Sequence, residues 1–367
     1  MDMTPYLKLM AEKEASDLFF CAGTEPHLKI QGMIRPVGEK KLMPVDLNDM
    51  ASSIMSEEQQ KEFEDTMECN FAIPLKDVGR FRVNVFRQRG QISIVIRFIQ
   101  TQIPHFEEMK LPKVLGDIIM EKRGLVLVVG ATGSGKSTSL AAMIGHRNRN
   151  SASHILTIED PLEFIHTHEK SIVQQREVGI DTLSYENALK NALREAPDVI
   201  LIGEIRDMDT MKHAISYAET GHLCLATLHS NNANQTMDRI LNFFPEVAHR
   251  QLLMDLSLNL RAIVSQRLLP TVDGKKRIPA VEVMLNSPLI AELIANGNIS
   301  GIKEAMKEST DEGTITFDQA LLTLYRTGQI SLEEAIRNAD SKNDLNLAVR
   351  MGGGSDSSDE GSELILG

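Results

Sequence analysis

Tryptophan is absent from this 367-residue chain, and tyrosine and phenylalanine contribute only 4 and 12 residues. Aromatic side chains on which nucleic-acid bases could stack are therefore scarce. Basic residues are outnumbered as well, because 39 Lys and Arg face 51 Asp and Glu, which gives a formal charge of −12. This balance disfavours proteins that coat nucleic acid or anionic lipid.

Cysteine is also scarce, and Cys21, Cys69 and Cys224 are widely separated. An odd, scattered set of cysteines is not a disulfide framework and suits a reducing cytoplasm. The longest apolar runs, such as residues 125–129, fall far short of the roughly 20 residues of a membrane span. The first residues lack the basic and apolar regions of a signal peptide. We therefore expect a cytoplasmic protein without direct membrane insertion.

The length predicts two domains. Residues 1–100 read as an α/β N-terminal domain, and residues 101–110, which contain Pro104, as a linker. Residues 111–345 alternate short apolar strands with helical segments and then become helical, the pattern of a parallel α/β domain. Residues 346–367 are rich in Gly, Ser and acidic residues, which predicts a disordered tail.

Short sequence patterns predict two strands and the starts of two helices. In the N-terminal domain, residues 26–30 and 33–37 read as strands, and the capping box Ser56–Gln59 predicts a helix from about residue 57. Near the other end, Ser331–Glu334 reads as a second capping box.

A β-hairpin is predicted from alternating apolar residues in 80–86 and 91–99. Pairing its apolar faces places Arg82 opposite or diagonal to Arg97, and like charges at such positions destabilise a sheet. Two interpretations remain open. The arginines are solvated or paired with nearby carboxylates, or they form a fork that binds an anion such as phosphate.

Residues 130–137, Gly-Ala-Thr-Gly-Ser-Gly-Lys-Ser, match the Walker A pattern. The apolar strand 125–129 precedes them and the helical segment 139–146 follows. The glycines allow backbone N–H groups to point at phosphate oxygens, and the helix N-terminus adds partial positive charge. Lys136 would reach the β- and γ-phosphates, and the Ser137 hydroxyl would bind Mg²⁺.

Three further predicted strands should end near this loop, at residues 154–158, 199–202 and 223–228. In open α/β sheets, ligands bind beyond the carboxyl ends of the strands. Glu163, Glu204 and His229, which follow these strands, are therefore predicted to converge on the Walker A loop. The two carboxylates can hold Mg²⁺ water and orient or deprotonate the attacking water, and the histidine can contact the γ-phosphate.

Each of these residues has a simpler alternative. Asp160, followed by Pro161, could mark a strand exit or cap a helix. Glu204 could belong to a surface ion network with Arg206 and Asp207. His222 and His229 could form a zinc pair, although seven residues apart on one strand they would face opposite sides.

These motifs resemble those of the type II/IV secretion ATPases. The resemblance covers roughly residues 1–345 and rests on segments in the family's order: 79–84 (arginine-bearing strand), 130–138 (Walker A), 158–163 (acidic box), 193–207 and 220–229 (histidine box). It implies a PAS-like α/β N-terminal domain and a RecA-like P-loop ATPase domain, assembled as a homohexameric ring. ATP would lie between the two domains, with Arg82 and Arg97 approaching its phosphates.

Together, motifs and resemblance give a set of expected site residues. Glu204, Glu163, Lys136, Arg82, Arg97 and His229 are expected to be catalytic. Gly130, Thr132, Gly133, Ser134, Gly135, Lys136, Ser137 and Thr138 are expected to bind ATP. Ser137, Glu163 and Glu204 are expected to hold Mg²⁺.

Within the family, length and the short N-terminal domain resemble the pilus retraction branch, which includes PilT-like and PilU-like subgroups. The PilT-like segment Ala-Ile-Arg-Asn-Leu-Ile-Arg corresponds to residues 287–294 here, which contain no arginine. That departure indicates the PilU-like subgroup. The resemblance implies a motor that powers or assists pilus retraction at an inner-membrane platform protein. The alternative is an ATP-binding accessory subunit that acts only with a PilT-like partner.

Two other classes share the phosphate-binding motif. A RecA-like nucleic-acid translocase is disfavoured by the charge of −12 and by the missing tryptophan, and we expect no nucleic-acid partner. A small-molecule kinase would need an acceptor site and a lid, for which no segment is evident.

Overall fold

The computed structural model describes residues 2–30, 32–76, 78–99, 103–309 and 313–352. The β-strands are β1 (Asp17–Phe20), β2 (His27–Ile30), β3 (Met33–Pro36), β4 (Glu68–Leu75), β5 (Gly79–Gln88), β6 (Gln91–Ile99), β7 (Gly124–Val129), β8 (His154–Glu159), β9 (Ile172–Glu177), β10 (Val199–Ile202), β11 (Leu223–Leu228), β12 (Leu260–Pro270) and β13 (Arg277–Leu285).

The α-helices are α1 (Thr4–Glu12), α2 (Pro44–Ile54), α3 (Glu57–Thr66), α4 (Val114–Ile119), α5 (Lys136–Asn150), α6 (Tyr185–Ala192), α7 (Met208–Glu219), α8 (Ala233–Asn242), α9 (Glu246–Asn259), α10 (Pro288–Ala295), α11 (Ile302–Glu308), α12 (Phe317–Arg326), α13 (Leu332–Asn338) and α14 (Lys342–Gly352). Short 3₁₀ helices cover Phe106–Met109, Leu193–Glu195 and Ile299–Gly301. Among the described residues, no helix combines the length and apolar character needed to cross a membrane.

The described residues fold into two compact units. The first contains those within 1–103, 157–168 and 173–191, and the second contains those within 104–156, 169–172 and 192–367. Of the predicted linker 101–110, residues 101 and 102 lie outside the described part of the chain, and Phe106–Met109 form a 3₁₀ helix.

The first unit contains a six-stranded antiparallel sheet in the order β3-β2-β1-β6-β5-β4. Apolar side chains from α1, α2 and α3 pack with those of the strands in one core. The two predicted strands near residues 26–37 are confirmed as β2 and β3. The capping box is confirmed as well, because Gln59 N donates to Ser56 Oγ at 3.2 Å and Ser56 N donates to Gln59 Oε1 at 2.9 Å.

The predicted hairpin is formed by β5 and β6. Phe81 pairs with Phe98, and Val83 pairs with Ile96. Both Phe81 and Val83 are fully buried, because strict alternation places these side chains on the core face. Arg82 lies directly opposite Arg97 on the other face, as predicted.

The second sheet has seven strands in the order β13-β12-β7-β11-β10-β8-β9. β11 pairs in parallel with both β7 and β10, and β12 pairs in parallel with β7. Every residue of β7, β10 and β11 is buried, which explains why these strands read as continuous apolar runs. The carboxyl ends of these parallel strands lie at one edge of the sheet.

Helices α10 to α14 follow β13, as the sequence predicts. Ser331 caps α13 by accepting from Glu334 N at 3.2 Å. The predicted capping box at Ser331 is wrong in its second half, because the Glu334 carboxylate instead accepts from Arg337 Nη1 at 2.8 Å. Helix α14 extends to Gly352, so residues 346–352 are helical and were wrongly included in the predicted tail. The remainder of that tail, 353–367, lies outside the described residues.

Candidate nucleotide-binding site

The Walker A loop lies between the end of β7 and the first residue of α5, Lys136. Gly135, the residue before the helix, has φ of 89°, a left-handed conformation that favours glycine. At Gly130 an added Cβ would lie 2.5 Å from the carbonyl oxygen of Gln266. Both glycines are therefore required by the backbone path. This path leaves Thr132, Gly133 and Ser137 exposed, a surface where a phosphate group can reach the loop N–H groups.

Lys136 projects back over this loop. Its Nζ atom donates to the carbonyl oxygens of Gly130, at 2.7 Å, and Ala131, at 3.0 Å. Burial lowers the pKa of Lys136, and the negative charge of Glu204 partly opposes that shift. The ammonium group is therefore held at the loop and lies within the electrostatic reach of Glu204.

The donors of this loop fit a Mg-nucleotide. Ser134 Oγ is buried and has no hydrogen-bond partner among the described residues. Ser137 and Thr138 lie in the first turn of α5, where backbone N–H groups are free to bind an anion. A hydroxyl at the position of Ser137 is a suitable ligand for Mg²⁺ that also contacts phosphate oxygens.

Glu204 and His229 come together at the ends of neighbouring strands β10 and β11. His229 Nε2 lies 3.2 Å from Glu204 Oε1, and Arg206 Nε lies 2.7 Å from Glu204 Oε2.

The ends of the two strands are joined by hydrogen bonds. Ile205 N donates to Thr227 O at 2.9 Å, and Thr227 Oγ1 donates to Gly203 O at 2.5 Å. These bonds fix the two strand ends side by side and so hold the carboxylate next to the imidazole.

The structure bears on the simpler alternatives for these residues. Glu204 pairs with Arg206, as the surface-network alternative holds, and Asp207 caps α7 by accepting from Thr210 N at 2.8 Å. The zinc alternative is wrong, because His222 precedes β11 and His229 follows it. The two imidazoles therefore lie at opposite ends of the strand.

Glu163 lies in the first compact unit, in the segment that follows β8. Its backbone N–H donates to the carboxylate of Glu159, which also accepts from Thr157 Oγ1 at 2.7 Å. Burial raises the pKa of Glu159 to about 7. The helix-cap alternative for Asp160 is wrong, because the next helix begins only at Tyr185.

Arg82 and Arg97 each have a carboxylate neighbour in the same unit. Arg97 Nε lies 2.8 Å from Asp17 Oδ1. Arg82 Nε lies 4.0 Å from Glu177 Oε1, and Arg80 Nη2 lies 3.7 Å from Glu177 Oε2. These contacts correspond to the carboxylate-pairing interpretation that the sequence left open, and a phosphate role for the two arginines stays a prediction.

Gln266 on β12 is absent from the predicted site residues, although it touches the Walker A loop. Its Nε2 donates to Ser134 O at 2.8 Å, and its Oε1 accepts from Ser139 Oγ at 2.8 Å. The sequence signal that points to it is the polar run Ser265-Gln266-Arg267 within a largely apolar strand.

Comparison with known proteins identifies the family. The model of the family described as "Type II/IV secretion system protein" matches residues 3–343. The "Type IV pilus ATPase PilU" of Pseudomonas aeruginosa is 54% identical over 367 residues, covering 100% of this chain and 96% of that protein. The "Type IV pilus retractation ATPase PilT" of the same organism is 40% identical over 339 residues, covering 92% and 98%.

Solved structures agree with this match. The crystal structure of the pilus retraction motor PilT with bound ADP superposes with a TM-score of 0.88 at 40% identity, covering 95% of this chain and 99% of that chain. The ATPase DotB of Legionella pneumophila superposes with a TM-score of 0.74 at 26% identity, covering 95% of each chain. The chain therefore belongs to the type II/IV secretion system protein family, in its pilus retraction branch, and is an ATPase with an N-terminal domain and a RecA-like ATPase domain.

Proposed function

We propose that this chain is the subunit of a homohexameric motor that uses the hydrolysis of Mg–ATP to power or assist type IV pilus retraction. The observation that carries the proposal is the arrangement at the sheet edge. The Walker A loop follows β7, the Glu204–His229 pair follows β10 and β11, and β11 lies between the other two strands. A phosphate-binding loop beside a positioned carboxylate is the arrangement that ATP hydrolysis requires.

The site residues have separate roles in this proposal. The loop residues Gly130, Thr132, Gly133, Ser134, Gly135, Lys136, Ser137 and Thr138 bind the nucleotide. Glu204 orients and deprotonates the attacking water, and His229 holds Glu204 and contacts the γ-phosphate. Arg82 and Arg97 of the first unit stabilise phosphate charge during hydrolysis.

Magnesium is proposed as the second cofactor, held by Ser137 with Glu163 and Glu204 acting on its water ligands. Among the described residues, no three His, Cys, Asp or Glu side chains are grouped to hold a metal by themselves. A cation here would therefore depend on the phosphate oxygens of the nucleotide, as Mg²⁺ in nucleotide sites does. Bound Mg²⁺ neutralises the charge that develops on the phosphates.

The proposed partners are inferred from the relatives PilU and PilT, whose names refer to the type IV pilus. We propose that the ring acts on the cytoplasmic side of an inner-membrane platform protein, together with a PilT-like ATPase. The missing arginines of residues 287–294 favour dependence on that partner. In the accessory alternative, the chain binds ATP and contributes to retraction only when the partner is present.

The test is phosphate release from ATP by the purified full chain, with Mg²⁺ and no acceptor. Lys136→Ala should remove most turnover, because the charge that holds the β- and γ-phosphates is lost. Lys212→Ala is the matched control, since that side chain is 55% exposed and pairs with Asp209 within the same helix, α7. Turnover in Lys136→Ala that equals the control would contradict the proposed site. Turnover that appears only after a PilT-like ATPase is added would favour the accessory alternative.

A further inference from the structure

Gln266 connects β12 to the Walker A loop through one end of its side-chain amide and to helix α5 through the other. It is only 1% exposed, and its bonds to Ser134 O and Ser139 Oγ are both 2.8 Å long. Ser134 lies within the loop, and Ser139 lies in the first turns of α5. A single side chain therefore holds the loop and the following helix at fixed positions against the strand.

The loop is also pressed closely against this residue. An added Cβ at Gly130 would lie 2.5 Å from Gln266 O, and one at Gly135 would lie 2.8 Å from Gln266 Nε2. At Gly130 and Gly135, any residue other than glycine would therefore clash with Gln266. Because the contacts are direct and the amide is buried, a change in the Gln266 amide changes the surroundings of the loop backbone itself.

Arg267, the next residue, faces the opposite side of the strand, since successive side chains alternate. Its Nη2 atom donates to Asn231 O at 3.3 Å and lies 2.7 Å from Asp340 Oδ1. Its guanidinium group stacks 3.9 Å from the ring centroid of Phe317. Asn231 is two residues beyond His229 in the sequence, so Arg267 fixes the loop that carries the imidazole.

Ser265, the residue before Gln266, adds a third connection, which runs through Glu282 on β13. Its hydroxyl donates to Glu282 Oε1 at 3.2 Å, and the same oxygen accepts from Ala233 N at 2.9 Å. Ala233 is the first residue of α8, which begins just after the loop of His229. Three consecutive residues of β12 thus hold the Walker A loop, the loop after β11 and the start of α8.

We propose that Gln266 is a positioning residue for ATP binding, and that β12 sets the distance between the Walker A loop and the Glu204–His229 pair through Gln266 on one side and Arg267 on the other. The inference rests on the proposed function, because it assumes that ATP binds at this loop. Without the amide, the Ser134 carbonyl would be buried without a donor, and the loop would shift to find one.

The experiment compares Gln266→Met with Ser139→Ala in the full chain, measuring KM and kcat for ATP and the melting temperature. Met has a similar length but no amide, whereas Ser139→Ala removes only one of the two bonds. We expect Gln266→Met to raise KM roughly tenfold with kcat within about threefold. Ser139→Ala should raise KM by less than about threefold. Arg267→Lys should lower kcat and leave KM within about twofold.

Other outcomes overturn the proposal. A lower kcat at unchanged KM in Gln266→Met would indicate a smaller fraction of folded molecules. An equal KM increase in Ser139→Ala would indicate general loosening of the helix. If Gln266→Met melts below the assay temperature, Gln266→Glu replaces it, because that variant keeps the acceptor for Ser139 and loses the donor to Ser134. Lys136→Ala in the same assay distinguishes an error in the Gln266 proposal from an error in the proposed ATP site. If ATP does not bind at this loop, Lys136→Ala stays fully active. If only the role of Gln266 is wrong, Lys136→Ala still loses most of its turnover.

Discussion

His229 Nε2 lies 3.2 Å from one carboxylate oxygen of Glu204, while Arg206 Nε lies 2.7 Å from the other. Each oxygen therefore has its own cationic or hydrogen-bonding neighbour, and the carboxylate cannot rotate without losing one of them. A fixed orientation is what a water-positioning group needs, because misplacement by about 1 Å costs large factors in rate. The pair thus joins His229, which is proposed to contact the γ-phosphate, to the proposed catalytic carboxylate.

His229→Ala is expected to lower kcat for ATP hydrolysis. Loss of a hydrogen bond to a charged group costs about 1.5–3 kcal/mol, and the 40% exposure of the imidazole points to the lower end. This corresponds to a decrease of roughly tenfold. The control is His222→Ala at the other end of β11, which should keep normal turnover. Equal decreases in the two variants would show that strand β11 was disturbed as a whole.

Arg82→Ala is expected to lower kcat by at least roughly 100-fold, because arginines that contact a transferred phosphoryl group contribute strongly to its stabilisation. The fold should survive, since Arg80 stays 3.7 Å from the Glu177 carboxylate. Phosphate release and thermal melting are measured together. The exposed Arg35 on β3 provides the control, Arg35→Ala. A lower melting temperature with unchanged turnover would assign Arg82 a structural role alone.

Arg97→Ala is expected to destabilise the first unit in addition to slowing turnover. The side chain of Asp17 is only 5% exposed, and its remaining cationic neighbour, Lys29 Nζ, lies 3.8 Å away instead of 2.8 Å. Leaving this carboxylate poorly paired should cost about 1–3 kcal/mol of unfolding free energy. Arg97→Lys should recover part of it. Urea denaturation tests this, and equal midpoints for Arg97→Ala and the unsubstituted chain would contradict it.

Glu159 predicts a pH dependence of stability. Burial raises the pKa of its carboxyl from 4.5 to about 7, so the folded state retains a proton that the unfolded state releases. The folded chain therefore loses stability as pH rises between these two values and loses no more from this group above about 7. Glu159→Gln, which is neutral at every pH, should show a flatter melting temperature between pH 5 and 7. Parallel pH curves for the two proteins would rule out this origin.

Much of the site follows from local sequence. The Walker A loop, the strand before it and the ends of β10 and β11 are all visible as glycine spacing and apolar runs. Arg82 opposite Arg97 follows from alternation alone, since the register of a hairpin is set by its apolar face. These features need only contacts between residues that are near in sequence or in adjacent parallel strands.

The rest depends on contacts that no local pattern contains. Gln266 bonds to residues 127 and 132 positions earlier in the chain. Glu177 approaches Arg80 and Arg82 from a different segment of the chain, and Asp17 meets Arg97 across β1 and β6. Such pairings are fixed by how the sheets fold, so composition and periodicity cannot reveal them.

The most direct test is a paired measurement on Glu204→Gln of ATP binding and phosphate release, with Mg²⁺ present. We expect nucleotide affinity within about threefold of the unsubstituted chain and turnover lower by at least roughly 100-fold, because the amide keeps the shape of the side chain but cannot accept a proton. Undiminished phosphate release would contradict the assignment of Glu204, and lost binding would show that it serves only to hold the loop.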